Sequence, residues 1–141
     1  MLNLPHTPTV LLLAPEFDAF FVTQLTTLGR QAGHPVILTG LIVGPLRSDL
    51  GLSLLPDRTL DTLTLAEPAW VVIPGPQACT QALARDPRVR RLCQETYAQG
   101  GQVFAMPAIR ALVQEAGLTP PARPETTPPA PWFAALLQEA V

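Results

Sequence analysis

Apolar residues in this chain come in short, nearly unbroken runs separated by stretches with helical spacing. Residues 9–14 (TVLLLA) alternate little, the pattern of a strand covered on both faces. Residues 16–32 place Phe17, Phe20, Phe21, Leu25, Leu28 and Ala32 near helical spacing, and Gly33 supplies a stop. Residues 35–39 (PVILT) read as a second buried strand, so 9–39 forms a β-α-β unit with a right-handed parallel crossover. Within 40–55, residues 41–43 and 52–55 read as a short antiparallel pair around 45–49. Residues 69–73 (AWVVI) form a third core strand ending at Pro74, Gly75 and Pro76, and 77–84 one short helix. Asp86 is an N-cap with Pro87 at the first position of a helix running to Ala98. Residues 102–106 form the fourth core strand and 107–116 its helix.

After Leu118 the character changes. Residues 119–131 are half proline, a stiff extended linker. Residues 132–141 carry a closing helix, with Trp132, Ala135, Leu136 and Glu139 on one side. The organisation expected is an N-terminal arm over 1–8, an α/β domain over 9–118, the linker, and a C-terminal helix packed on the same domain. The sheet should be mostly parallel, of four to six strands, with helices on both faces.

Composition narrows the function classes. The 141 residues carry a formal charge of −2, and all nine basic residues are arginines scattered without a stripe, which excludes a polyanion-binding surface and a nucleic-acid partner. Arg88, Arg90 and Arg91 read as a solvated helix face. No apolar run is long enough to span a bilayer and no secretory leader is legible, so a cytoplasmic, membrane-free protein is the expectation. Cys79 and Cys93 lack zinc-type spacing, and neither a metal nor another cofactor is implied.

In a doubly wound sheet, ligands bind beyond the carboxyl ends of the strands at the topological switch point. Three loops leave those ends: Ala14-Pro15-Glu16, Pro74-Gly75-Pro76 and Met106-Pro107-Ala108. A strand-to-helix turn is where a nucleophile is often set, yet Pro107 occupies it, with neither an N–H nor a reactive group. Gly75 is the one permissive backbone position, since proline removes oxyanion-type donors at the other corners. No Ser, Thr, Cys or His stands at the three tips. Weak catalytic candidates remain in Glu16 and Asp18, which otherwise complement a helix dipole, and in Cys79, which otherwise packs as a small hydrophobe. Cys93 is core. His34 reads as a turn or surface residue on the opposite rim, His6 as part of the arm, and Phe17, Phe20 and Phe21 as core or dimer contact.

The run VLLLAPEF-D with a helix ending in Ala32-Gly33, then WVVIPGP, then GGQVFAMPAIRALVQEAGL resembles the ThiJ/PfpI family of the class I glutamine amidotransferase-like superfamily over residues 9–118. The resemblance implies a flavodoxin-like three-layer α/β/α sandwich, shortened at the C-terminus. It places the family's elbow cysteine on Pro107, the next residue on Ala108, the elbow glycine on Ile109, a turn glycine on Pro76 and the acidic partner of the cysteine on Phe21. The family's downstream histidine has no counterpart after His34. The degenerate pocket is thus Pro15, Glu16, Phe21, Gly75, Pro76, Met106, Pro107 and Ala108. The function implied is a catalytically inactive domain, a pseudoenzyme working through binding or assembly as a homo-oligomer, a dimer by family habit. The alternatives are a small-molecule hydrolase or lyase using Asp18, Glu16 or Cys79 in the same cleft, and a ligand-sensing regulatory domain.

Overall fold

The five residues of β1 (Thr9–Leu13) are buried without exception, which requires cover on both faces of the sheet. In the computed structural model, which describes residues 8–63, 70–105 and 109–118, that cover is present. β1 pairs in parallel with β2 (Val36–Gly40) on one side and β6 (Trp70–Ile73) on the other. Between them in sequence come the short hairpin β3 (Leu46–Arg47) and β4 (Ser53–Leu54) and the two-residue β5 (Arg58–Thr59). β7 (Gln102–Ala105) completes a five-stranded parallel sheet in the order β5-β2-β1-β6-β7.

The chain moves outward from β1 through β2 to β5, then returns to the far side of β1 for β6 and β7. Right-handed crossovers in opposite directions put α1 (Ala19–Gln31) on one face, and α2 (Gln77–Arg85) and α3 (Pro87–Ala98) on the other. α4 (Arg110–Glu115) follows β7. The result is the three-layer flavodoxin-like sandwich, with its switch point between β1 and β6. Among the described residues no helix is long and apolar enough to cross a membrane.

Local chemistry accounts for the element ends. Asp18 caps α1 and Asp86 caps α3, with Pro87 in the first turn as the sequence requires. Gly33 takes φ 82° just beyond α1, a left-handed turn that suits glycine. Gly40 must be small: a Cβ there would stand 3.0 Å from the Pro56 ring.

Several details differ from the sequence reading. α1 starts at Ala19, three residues later than the spacing suggested, because Glu16 adopts φ 72° and Asp18 is consumed as the cap. The antiparallel pair joins Leu46–Arg47 to Ser53–Leu54 instead of residues 41–43 to 52–55. Leu46 and Leu54 are the residues that reach the core, and the Ser48 hydroxyl closes the turn by accepting the N–H groups of Leu50 and Leu52, both at 3.1 Å. Strand β5 was not foreseen; two residues are too few to leave a periodic signal.

The aromatic trio divides, with Phe17 and Phe21 in the core and Phe20 72% exposed. Leu28 and Ala32 also face outward. His34 is no surface residue: it is buried and stacks on Trp70 with ring centroids 5.6 Å apart. The arginine run is not merely solvated. Arg88 pairs with Asp86 at 2.8 Å and donates to the Leu41 carbonyl, while Arg90 donates to Ala116 O at 2.9 Å and so caps the end of α4. The N-terminal arm, the proline-rich linker and the closing helix lie outside the described residues, apart from Pro8.

Candidate functional site

Two of the three strand-tip loops converge at the switch point. The N–H of Asp18, after β1, donates to Gly75 O, after β6, at 2.9 Å. Pro74 and Gly75 are buried beneath this contact, and Pro76 is exposed at the mouth. The Gly75–Pro76 peptide is cis. The third loop, Met106, Pro107 and Ala108, lies outside the described residues; β7 leads to it through Ala105, which is in register with Ile73 of β6.

The sequence did not reveal that the β3–β4 hairpin forms a third wall. Glu16 N–H donates to Arg47 O at 2.8 Å, and Asp49 N–H to Phe17 O at 2.9 Å, with Phe17 and Ser48 bridged as in a parallel ladder. Asp49 then accepts the N–H of Ala19 on Oδ1 at 3.1 Å, while Asp18 Oδ1 accepts that of Phe21 at 3.0 Å. One helix N-terminus therefore holds two carboxylates from its own chain. The stretch Ser48-Asp49-Leu50-Gly51 carries turn residues that announce a reversal, but nothing local says where the reversal docks.

Glu16 is exposed, and its left-handed backbone is uncommon for a residue other than glycine. Asp18 is half-buried and committed to its cap. Cys79 is fully buried, with Sγ 3.5 Å from Ala14 O. Burial pushes its thiol up to about 11, a backbone hydrogen bond at Ala14 opposing this and the Asp18 charge adding to it. Cys93, buried on α3, is pushed by burial to about 12. Phe21, where the resemblance sets an acid, has its ring in the core. Ser48 brings a hydroxyl to the site, but that oxygen accepts two backbone N–H groups within its own turn. Thr80, in the first turn of α2, donates to Pro74 O at 2.9 Å and holds the second loop to its helix. Among the described residues no group of three or more His, Cys, Asp or Glu could hold a metal ion.

The arrangement supplies carboxylates and buried backbone at the switch point, and its thiol faces inward. A nucleophile with an adjacent base is not among the described residues.

The architecture has relatives of known structure. The chain is similar to a cysteine-to-alanine mutant of a DJ-1 superfamily protein from Salmonella typhimurium, at 22% identity and TM-score 0.72, covering 79% of this chain and 62% of that one. It is similar to Drosophila melanogaster DJ-1beta at 23% identity and TM-score 0.72, covering 79% and 61% of the two chains. A ThiJ/PfpI domain protein from Brachyspira murdochii matches at 15% identity and TM-score 0.64, covering 80% and 76%. At these identities the likeness is one of fold, and the chain spans about three-fifths of the length of the first two structures. No curated protein matches the chain in sequence. The sequence model of the DJ-1/PfpI family matches residues 9–127, taking in the β-α-β unit, the Pro74–Pro76 turn and the segment around Pro107. With that match and the switch-point geometry together, the chain belongs to the DJ-1/PfpI family.

Proposed function

We propose that this chain is a non-catalytic member of its family, a pseudoenzyme that acts through binding or assembly. One observation carries the reading: among the described residues, the side chains at the switch point that could do chemistry are, Glu16 apart, engaged in holding the fold. Asp18 and Asp49 cap α1, Cys79 packs under Ala14, and a core phenyl ring stands at the position of Phe21. A carboxylate bound to backbone N–H groups is a poor general base, and a thiol near pKa 11 is almost wholly protonated at neutral pH. Pro107, at the position the resemblance gives to the elbow cysteine, supports the same reading from the sequence. So does Pro76, at a turn position where a glycine N–H would otherwise donate.

The pseudoenzyme works as a homo-oligomer, a dimer in the simplest case, in a reducing, cytoplasmic setting where the buried thiols of Cys79 and Cys93 stay unpaired. It needs no cofactor and no nucleic acid. The test is turnover of ester and α-oxoaldehyde substrates by the full chain. Background rates, unchanged in Cys79→Ser and Asp18→Asn, are expected; turnover abolished by either substitution would overturn the reading.

Glu16 favours a second reading. A solvent-facing carboxylate on a strained backbone at the switch point suits a small-molecule site, catalytic or sensory. Thermal-shift screening against metabolites separates the two, since a specific ligand raises the melting temperature by mass action and Glu16→Gln removes the rise.

A further inference from the structure

The β3–β4 hairpin is closed on itself. Ser48 N–H donates to Leu52 O at 2.8 Å, the Ser48 hydroxyl accepts the N–H groups of Leu50 and Leu52, and the Arg47 guanidinium donates to Gly51 O at 3.3 Å. Its apolar hold on the domain is slight: Leu46 and Leu54 are only half-buried, and Leu50, Leu52 and Leu55 stand 60–69% exposed. Gly44, at φ 121° where the chain enters the hairpin, offers a hinge.

The hairpin meets the rim of the switch point around Glu16. Glu16 N–H donates to Arg47 O, which fixes the peptide before Glu16, and Asp49 N–H donates to Phe17 O, which fixes the peptide after Phe17. That second peptide is gripped at both ends, since its own N–H, that of Asp18, donates to Gly75 O. Ala19 N–H adds a third tie to the hairpin, on Asp49 Oδ1. Between the two fixed peptides Glu16 stands at φ 72°, the one positive φ outside glycine among the described residues. Such a conformation persists only where the surroundings over-determine it.

From this geometry we infer that the hairpin is a latch: docked, it holds Glu16 in the left-handed conformation, and released, it lets Glu16 relax and turn its carboxylate at the switch point. The ties made by the N–H groups of Glu16, Ala19 and Asp49 break together, because the hairpin moves as one hydrogen-bonded unit. The strain at Glu16 belongs to the docked state alone, so the residue at position 16 sets the balance between the two. On release the Phe17–Asp18 peptide keeps only its bond to Gly75, which passes the change to the loop after β6. By linkage, whatever binds one state of the Glu16 carboxylate shifts the hairpin, and the reverse. The latch works in the same way whether or not the site turns over a substrate.

The experiment is native-state hydrogen exchange, followed by NMR on the full chain, with Glu16→Gly, Glu16→Val and Asp49→Ala beside wild type. The amides of Glu16, Ala19 and Asp49 should share one opening constant, roughly a hundredfold or more above that of the β1 amides of Val10, Leu11 and Leu12. Reading each constant against those β1 amides removes any change in global stability. Glycine carries no left-handed penalty and should lower the shared constant about threefold, while valine, with its branched Cβ, should raise it about as much. Asp49→Ala deletes the acceptor of Ala19 and leaves that of Glu16 in place, so a rise of about threefold at Glu16 marks a common opening. Unrelated constants at the three amides would overturn the inference. So would a constant indifferent to residue 16, or a rise confined to Ala19 in Asp49→Ala.

Discussion

Asp18 and Asp49, thirty-one positions apart, cap the same helix end: Asp18 takes the N–H of Phe21 and Asp49 that of Ala19. Two of the four unsatisfied donors of α1 are thereby answered, one by the local chain and one by the hairpin. Loss of a side-chain cap costs about 0.5–2 kcal/mol. Asp18→Ala and Asp49→Ala should each fall in that range by urea denaturation. The double variant should depart from the sum, because the two caps share one helix end. Strict additivity would mean that the hairpin does not brace α1.

Cys79 and Cys93 should be silent to Ellman's reagent in the folded protein at neutral pH. With its thiol near 11, Cys79 is ionised in about one molecule in ten thousand at pH 7, and access is blocked as well. Both thiols should react in denaturant. Rapid labelling of one thiol in the native state would reopen a chemical role for Cys79.

The Asp86–Arg88 pair makes stability pH-dependent. The Arg88 guanidinium bond holds the Asp86 carboxyl below its ordinary value of 3.8, and the N–H of Arg88 adds to this against desolvation. A carboxyl depressed by folding contributes stability above its unfolded pKa and loses it as pH falls through the folded one. Denaturation midpoints should therefore drop on acidification below about pH 4. Asp86→Asn, which keeps an N-cap but no charge, should flatten that part of the profile.

Thr9 has a fully buried hydroxyl without a hydrogen-bond partner among the described residues. Thr9→Val removes the unpaired group at nearly constant shape, and valine favours the strand. A gain of about 1 kcal/mol is expected, seen as a rise of a few degrees in melting temperature. A loss would mean that the hydroxyl is satisfied in solution.

Glu16 sits at φ 72°, where a side chain costs roughly 1–2 kcal/mol and glycine nothing. Glycine loses some of that advantage through unfolded-chain entropy, so Glu16→Gly should be neutral to mildly stabilising. Glu16→Val should cost at least about 1 kcal/mol more than Glu16→Gly by thermal unfolding.

The sequence by itself determined the parallel sheet and its helices. Unbroken apolar runs need cover on both faces, and caps such as Asp86 with Pro87 act within a few residues of where they stand. It also indicated the loops after β1 and β6 that meet at the candidate site, with proline at Pro76. Tertiary structure alone decided the third wall of that site. The docking of Asp49 on α1, the strand β5, and the burial of His34 against Trp70 depend on contacts between residues about thirty or more positions apart or on pairings too short to leave a period. Exposure was decided the same way: Phe20 and Phe21 are adjacent and equally apolar, and only the packing of α1 against the sheet sends one ring into the core and the other into water.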